Sequence, residues 1–248
     1  GYLAPDFIDP TLACRIEPVL EYCERRAFEA LCYSDAQIES DDAWRMRDLA
    51  DLWHATADMS NDRLAERIRE DRIDILVDLA GHSVRGKRIA VLAQKPAPLQ
   101  ISWLGFPCAT GLDLMDYRIT DLHLCPAGEE RLSTERVLRM PDSRWCFKPW
   151  PDAPEPGPLP SAANGALTFG SFRDLSALSR HTITLWARVL RALPESRLLI
   201  AARGAPELAA RIGERFREEG VDPARIALRD RDPAACALPL TRPSQSFG

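Results

Sequence analysis

The alternation of apolar runs and amphipathic segments between residues 72 and 111 predicts a strand, a helix and a second strand. The first strand is a nearly continuous apolar run from Ile73 to Leu79, rich in β-branched residues, as in strands that a parallel sheet buries on both faces. An amphipathic helix is predicted from Arg85 to Gln94, and Pro96 ends it. The second strand then begins at Leu99 and runs to Leu104.

A βαβ unit of this kind has a right-handed crossover, which brings the loops after both strands to the same edge of the sheet. Ligands of open α/β sheets bind at this carboxyl edge. The loops contain the polar and glycine residues that a ligand site needs, namely Asp78, His82, Ser83, Gly105, Thr110 and Gly111. The sequence therefore predicts a ligand site between the two loops.

Structural alternatives stay open for two of these residues. His82 can be a loop histidine whose ring nitrogens are satisfied by backbone carbonyls. Asp78 can be a cap on the turn at Gly81 or on the helix that follows. Every βαβ unit has loops at this edge, so the pattern indicates a site without naming its chemistry.

Strands and helices alternate through the first 146 residues, which is typical of a doubly wound α/β domain. Further strands are predicted at residues 1–7, Phe28–Tyr33, Asp116–Thr120 and Ser133–Met140, and further helices at Leu12–Arg25, Asp41–Ala55 and Leu64–Asp71. A strand that starts at residue 1 leads us to expect that the sequence begins inside a longer protein.

Closely spaced prolines from Phe147 to Gly165 predict an extended linker that contains neither helix nor central strand. A fresh α/β pattern restarts behind it, which favours a domain boundary over a long surface loop of a single domain. We therefore expect a Rossmann-like N-terminal domain at 1–146, a linker at 147–165 and a second domain at 166–248.

The second domain is predicted to be incomplete. Its strands are expected at Leu167–Phe172, Arg197–Ala202 and Arg225–Leu228, and its helices at Thr182–Leu193 and Pro206–Gly220. Three strands and two helices make half of a nucleotide-binding domain, so we expect truncation. The apolar faces that a complete domain buries would then be partly exposed, which predicts self-association.

Charge and hydropathy argue against two classes of partner. The formal net charge is -5 and the isoelectric point is near 5.5, whereas a nucleic-acid-binding domain is expected to carry a basic face. No apolar run is long enough to span a bilayer, and no basic and apolar leader opens the sequence. We expect a soluble, cytoplasmic protein that binds neither nucleic acid nor membrane.

Cysteine and histidine spacings give no indication of a metal site. The seven cysteines are scattered and never form a CxxC pair, which favours free thiols in a reducing compartment. The four histidines form no HExxH motif, so we predict no metal. No GxGxxG follows a strand, which argues against a nicotinamide or flavin enzyme, and we predict no cofactor.

Several blocks of the sequence are distinctive, namely DILVDLAGH, PAPLQISWLGFPCATG, MDYRITD, the Pro-rich APEPGPLPSAANG, LTFGSF and LWARVLRALPESRLLI. Together they closely resemble the bacterial branch of the protein O-GlcNAc transferases, glycosyltransferase family 41. They run in register from Gly1 to about Asp230. Agreement over so many blocks is far more specific than any single motif.

The resemblance implies an α/β fold of the GT-B type, in which two Rossmann-like domains face each other across a cleft. It also implies metal-independent, inverting transfer of N-acetylglucosamine from UDP-GlcNAc, the donor substrate, to Ser or Thr hydroxyls of a protein acceptor. Without a metal, the anionic diphosphate must be stabilised by a lysine, backbone amides or a helix N-terminus. The chain would be a partial catalytic region of such an enzyme.

This resemblance also gives the loop residues their predicted roles. His82 is predicted to contact the sugar or the acceptor, and Asp78 to orient His82 or the acceptor hydroxyl. The predicted substrate-binding residues are Gly81, Ser83, Gly105, Pro107, Thr110 and Gly111, and the predicted donor-binding residues are Ser171, Phe172 and Arg173.

Three departures from the family pattern argue against activity. Pro10 stands where the motif DFxxH leads to an active-site histidine, and proline carries no titratable proton. Asp174 and Ala177 stand where the family has an amide and the lysine that neutralises the diphosphate, although Arg173 and Arg180 lie nearby. The family's downstream segment, with a His-Thr-Thr turn and a ribose-binding aspartate, has no counterpart. The alternative function is therefore an inactive relative that acts at most as a binding module.

Overall fold

The computed structural model describes residues 1–7, 10–36, 41–82, 88–105, 107–149, 155, 157–173, 175–201 and 206–229. The chain divides into two compact units, Gly1–Pro149 and Trp150–Gly248. Each unit contains its own parallel sheet flanked by helices, as the alternation of strands and helices predicts.

The first unit contains a seven-stranded parallel sheet with the strand order β3-β2-β1-β4-β5-β6-β7. Its strands are β1 (Tyr2–Ala4), β2 (Leu31–Ser34), β3 (Leu52–Ala55), β4 (Ile75–Asp78), β5 (Leu99–Ser102), β6 (Tyr117–Thr120) and β7 (Arg136–Arg139), and its helices are α1 (Pro10–Glu21), α2 (Asp41–Asp48), α3 (Asn61–Glu70) and α4 (Ile89–Leu92). The chain order reverses between β1 and β4, and the crevice outside their carboxyl ends is where such sheets bind ligands.

Helices cover both faces of this sheet. On one face Leu64 of α3 packs with Leu3 and Leu76, and all three side chains are buried. On the other face Ile16 of α1 packs with Met46 of α2 and with the apolar residues that end β1. The two faces of β4 are covered unequally, because Leu76 is fully buried whereas Ile75 on the opposite face is 37% exposed.

The helix predicted over Asp41–Ala55 is wrong in its second half. Helix α2 ends at Asp48, and Leu52–Ala55 forms β3, which pairs in parallel with β2 at the edge of the sheet. Edge strand β3 is only half covered, and Leu52 is 42% exposed. Its leucine and tryptophan fit a helical face equally well, so the ladder to β2, rather than the local pattern, determines the strand.

The second unit contains the three-stranded parallel sheet β10-β9-β8. Its elements are α5 (Pro160–Asn164), β8 (Thr168–Ser171), α6 (Arg180–Ala192), β9 (Arg197–Ala201), α7 (Pro206–Glu218) and β10 (Ile226–Arg229). Helices α6 and α7 pack around a core that includes Ile183, Leu190, Ile200, Ile212 and Phe216.

The short helix α5 lies within the segment predicted to contain no helix, so that prediction is wrong for residues 160–164. Pro160 occupies the first turn, where proline's missing N–H costs no hydrogen bond. Gly165 ends the helix with φ of 68°, a left-handed conformation that glycine adopts readily. A proline-rich segment can therefore contain a short helix where proline falls in the first turn.

The helices within the described ranges are short. The longest of them, α6 and α7, have 13 residues each. Across the part of the chain that the structure describes, no helix combines the length and the apolar content required to cross a membrane.

Candidate functional site

The loop after β4 begins at the point where the strand order reverses. Asp78, the last residue of β4, is paired in register with Leu3 of β1 and with Ser102 of β5. The loop is anchored on both sides, because the Leu79 N–H donates to the Leu3 carbonyl at 3.0 Å and the Trp103 N–H donates to the Asp78 carbonyl at 2.9 Å. The predicted site residues of this loop therefore leave the sheet at the expected ligand crevice.

The Asp78 side chain is built into the turn that carries His82. It is 3% exposed, and its two oxygens accept hydrogen bonds from the Ala80 N–H at 3.1 Å and the Gly81 N–H at 2.8 Å. Gly81 has φ of 56°, which is left-handed and favours glycine. This is the geometry of the turn cap, the alternative that the sequence left open for Asp78.

Burial raises the pKa of the Asp78 carboxyl from 3.8 to about 6. The hydrogen bonds from Ala80 and Gly81 and the charge of His82 act in the opposite direction and lower this pKa, but burial outweighs them. The Asp78 carboxylate thus caps the turn although burial disfavours its charged form in the folded chain.

Gly105 brings the second loop into direct contact with the first. A Cβ atom at this position would lie 2.2 Å from the Leu79 carbonyl oxygen and 2.7 Å from the Ala80 Cα atom. Only glycine fits so close to another backbone. Leu104 before it has φ of 65°, a strained conformation for leucine, and its 2% exposed side chain is held by burial.

His82 and Thr110, 28 residues apart in the chain, are in contact. The His82 Nε2 atom lies 2.5 Å from the Thr110 carbonyl oxygen. A carbonyl oxygen only accepts, so Nε2 carries a proton and donates it to this bond. The His82 residue is exposed, whereas Thr110 is 4% exposed. The structure therefore brings together two residues that were predicted to share a site.

Thr110 is held in turn by Glu135, which the sequence did not single out. The Thr110 N–H donates to Glu135 Oε1 at 2.6 Å, and the Thr110 hydroxyl donates to the same oxygen. Glu135 is 4% exposed and precedes β7 in the polar stretch STER. A glutamate in a polar stretch reads as a solvent-exposed residue, so no local signal identifies it.

The remaining residues of the two loops have simpler surroundings. The Pro107 carbonyl accepts a hydrogen bond at 3.1 Å from Arg118, which is itself 6% exposed. Gly111 is exposed and has φ of 73°. Ser83 lies outside the described residues, so its predicted role stays a prediction.

Arg88, also missed by the sequence reasoning, anchors the start of α4 to the carboxyl end of β2. Its Nε and one Nη atom each donate to an Asp35 oxygen at 2.7 Å. Its other bonds reach the Thr56 and Met59 carbonyls and Asn61 at 2.6, 2.8 and 3.0 Å. An arginine on the polar face of an amphipathic segment gives no sign of such a role in the sequence.

The predicted donor-binding residues lie at the carboxyl end of β8 in the second unit, where Ser171 is the last residue of the strand and Phe172 and Arg173 follow it. The Arg173 N–H donates to Ser171 Oγ at 3.3 Å, and Phe172 is 51% exposed. Ala177 lies in a 3-10 turn over Leu175–Ala177. Asp174 lies outside the described residues.

Comparison with known proteins adds the chemistry that geometry leaves open. A sequence profile described as Glycosyl transferase family 41 matches residues 1–147. The probable UDP-N-acetylglucosamine–peptide N-acetylglucosaminyltransferase SPINDLY of Petunia hybrida is 32% identical over 92% of this chain and 25% of its own length. The Arabidopsis thaliana protein of that name is 35% identical over 82% of this chain and 22% of its own length. The chain thus spans about a quarter of the length of these relatives.

A solved structure is similar over nearly the whole chain. It is a mutant of the Thermobaculum terrenum O-GlcNAc transferase, with a TM-score of 0.87 and 34% identity, and the match covers 96% of this chain and 46% of that one. This likeness, together with the seven-stranded parallel sheet, confirms the predicted α/β fold class of GT-B type. Because the family profile matches more than half of the sequence, the chain belongs to glycosyltransferase family 41.

Proposed function

We propose that this chain is a partial catalytic region of a UDP-GlcNAc-dependent protein O-linked N-acetylglucosaminyltransferase. The observation that carries the proposal is the contact between two loops at the strand-order reversal, where Thr110 holds His82. Relatives named for peptide N-acetylglucosaminyl transfer support it. The proposed partners are a UDP-sugar and a protein acceptor, and neither a metal nor a cofactor takes part.

The reaction joins the Ser or Thr oxygen of the acceptor to the anomeric carbon while the bond to the diphosphate breaks. The acceptor hydroxyl loses its proton in the same step, and inversion results from attack opposite the leaving group. His82 is the residue proposed to contact the sugar or the acceptor. Asp78 acts as a positioning residue, because its carboxylate fixes the Ala80 and Gly81 amides of the turn that carries His82.

The other predicted loop residues would form the wall of the acceptor side. They are Gly81, Ser83, Gly105, Pro107, Thr110 and Gly111. Glycine at 105 supports this role, because a side chain there would collide with the backbone of the neighbouring loop. The wall would therefore keep its shape before any substrate binds.

The donor side is proposed to lie in the second domain, with boundaries of 1–146, 147–165 and 166–248 for the N-terminal domain, the linker and the second domain. Ser171, Phe172 and Arg173 lie at the carboxyl end of a parallel strand, which is the position that favours a nucleotide site. The exposed ring of Phe172 and the cationic Arg173 suit a uracil or sugar face and a diphosphate, respectively.

Binding without transfer is the second candidate function, and two described residues favour it. Pro10, the first residue of α1, takes the place of a motif histidine, and Ala177 takes the place of a lysine. Losing one preorganised group that stabilises a developing anion costs roughly a hundredfold to a thousandfold in rate. The chain would then bind a nucleotide or protein partner and transfer nothing.

We further propose a cytoplasmic location and self-association through the second unit. A shallow pocket of about 280 Å³ is lined by Phe169, Gly170, Ser171, Trp186, Val189, Leu190 and Leu198. In the same unit, Leu185 of α6 and Leu193 after it are 42% and 43% exposed. Apolar side chains grouped in this way favour association.

Two assays on the full chain test the proposed function. Calorimetric titration with UDP measures donor binding, and transfer of radiolabelled GlcNAc from UDP-GlcNAc to a Ser/Thr peptide measures the chemistry. We expect micromolar UDP binding in the wild type, in His82→Ala and in His123→Ala, which changes an exposed histidine after β6 as the matched control. Transfer should fall about a hundredfold in His82→Ala alone.

The two assays also separate the candidate functions. UDP binding without any transfer by the wild type supports the binding module. The absence of UDP binding at millimolar concentration contradicts the transferase and leaves a protein partner as the ligand of the binding module.

A further inference from the structure

Glu135 is a buried carboxylate that the proposed reaction does not use. It is 4% exposed, and its Oε1 atom accepts two hydrogen bonds, both from Thr110. Its Oε2 atom is buried and has no hydrogen-bond partner among the residues that the structure describes. Burying a carboxylate with one unsatisfied oxygen is costly, so stability alone does not favour glutamate at this position.

The bonds from Glu135 fix the direction of the Thr110 carbonyl. The Thr110 backbone N–H donates one of these bonds and its side-chain hydroxyl donates the other, so both the backbone and the side chain of Thr110 are held. The Thr110 Oγ atom in turn accepts from the Leu112 N–H at 3.3 Å, which extends the restraint along the loop. Thr110 therefore presents its carbonyl oxygen to the ring of His82 from a fixed position.

We propose that Glu135 is a positioning residue of the transferase site, which holds the His82 ring in its orientation through Thr110. The proposal rests on the function proposed above, because it assigns His82 a role in transfer. Glu135 touches neither His82 nor any reacting atom in this assignment. Its effect reaches the ring through two successive hydrogen bonds, from Thr110 to the carboxylate and from His82 to the Thr110 carbonyl.

A double-mutant cycle on transfer activity tests the proposal. Glu135→Ala should lower kcat roughly 10- to 100-fold through misplacement of His82, while KM for UDP-GlcNAc stays unchanged. In the His82→Ala background, Glu135→Ala should lower kcat less than about twofold. The effects of two residues that act through one another on kcat are not additive, and the His82 ring that Glu135 positions is already gone. Equal losses in the two backgrounds would overturn the proposal.

Nuclear magnetic resonance of the His82 side chain tests the same claim without any activity. The Nε2 proton should exchange with water about tenfold faster in Glu135→Ala than in the wild type, because its acceptor is no longer held. Glu135→Gln should restore the wild-type rate within about twofold, since the amide oxygen still accepts from Thr110. An unchanged exchange rate in Glu135→Ala would overturn the proposal.

Two further variants separate positioning from folding. Glu129→Ala removes an exposed glutamate six residues earlier and should leave kcat and the His82 proton unchanged. Where Glu135→Ala does not fold by circular dichroism, Thr110→Val replaces it. That variant keeps the amide and the carbonyl but loses the hydroxyl bond, and it should accelerate exchange by about threefold. If no variant and no wild type transfers sugar, the proposed function fails and the exchange rates alone decide the role of Glu135.

Discussion

The loop after β4 and the loop after β8 both follow a parallel strand, yet their surroundings differ greatly. The first is fixed by the buried Asp78 carboxylate and by the backbone contact with Gly105. In the described part of the second, the Arg173 N–H reaches Ser171 Oγ and Phe172 is 51% exposed. The first loop is thus held by buried groups of its own unit, whereas the described part of the second loop has an exposed side chain and one short-range hydrogen bond.

The groups that hold the loops of the first unit are themselves locally unfavourable in free energy. Leu104 has a left-handed backbone, which costs about 1–3 kcal/mol for a residue other than glycine. Asp78 is buried with a raised pKa, so its charged form is disfavoured. Strain of this kind persists only where the surrounding structure fixes it, and it is concentrated at functional sites.

Breaking the Arg88 anchor should have the largest effect on stability. Arg88→Met leaves the half-buried Asp35 carboxylate without its bidentate partner, and removing one member of such a pair costs about 3–5 kcal/mol. Arg63→Met is the control, because Arg63 pairs with Glu66 and Glu70 at the surface and its loss should be barely measurable. Urea unfolding measures the stability of both variants. Equal unfolding midpoints for Arg88→Met and Arg63→Met would contradict the anchoring role of Arg88.

Gly105→Ala should separate the two loops of the first unit. The new Cβ atom would collide with the Leu79 carbonyl oxygen, so the backbone must move, at a cost of about 3 kcal/mol. Gly213→Ala in α7 is the matched control, since no atom lies within 4 Å of its added Cβ, and alanine favours a helix by about 0.5–1 kcal/mol. Opposite shifts of the unfolding free energy are expected, and a neutral Gly105→Ala contradicts the tight contact.

Asp78 should give the first unit a stability that depends on pH. Its pKa of about 6 in the folded chain exceeds the ordinary value of 3.8, so the folded state binds more protons between these pH values. The stabilising effect of the protonated carboxyl is therefore present below pH 4 and is lost as the pH rises through 6, by roughly 2–3 kcal/mol.

Asp78→Asn removes this titration and makes the effect measurable. The difference in unfolding free energy between the wild type and Asp78→Asn should shift in favour of the variant from pH 4 to pH 7. Urea titrations at each pH give this difference, in which the other titrating groups cancel. Two parallel stability profiles would show that the carboxyl is not perturbed.

The smallest effect on stability is expected in the second unit, where association changes instead. Val189 is 45% exposed and lines the shallow apolar pocket. The Val189→Glu variant should sediment more slowly than the wild type, whose self-association is proposed, and its unfolding free energy should change little. Leu132→Glu changes a 73% exposed leucine of the first unit and should sediment like the wild type. A monomeric wild type rules out the association.

The sequence predicts the two strands of the central βαβ unit well because runs of apolar and β-branched residues bounded by glycine and proline leave a strong pattern. Strand β4 and the loops with His82 and Thr110 lie where the run and the prolines indicate. Strand β3 is missed because its pairing with β2 is a non-local interaction. Arg88 and Glu135 are missed because a charged residue in a polar stretch looks the same whether it is exposed or buried against a distant partner.

Amide hydrogen exchange on the ligand-free chain tests the central claim most directly. The claim is that the loop after β4 is ordered before any ligand binds, whereas the loop after β8 is not. The Gly81 and Thr110 amides donate to buried carboxylates, whereas the Arg173 amide donates to the hydroxyl of Ser171 in a solvent-exposed hydrogen bond. We predict that Gly81 and Thr110 exchange at least about a hundredfold more slowly than Arg173, each relative to its unstructured rate. Similar protection at all three amides would contradict the account.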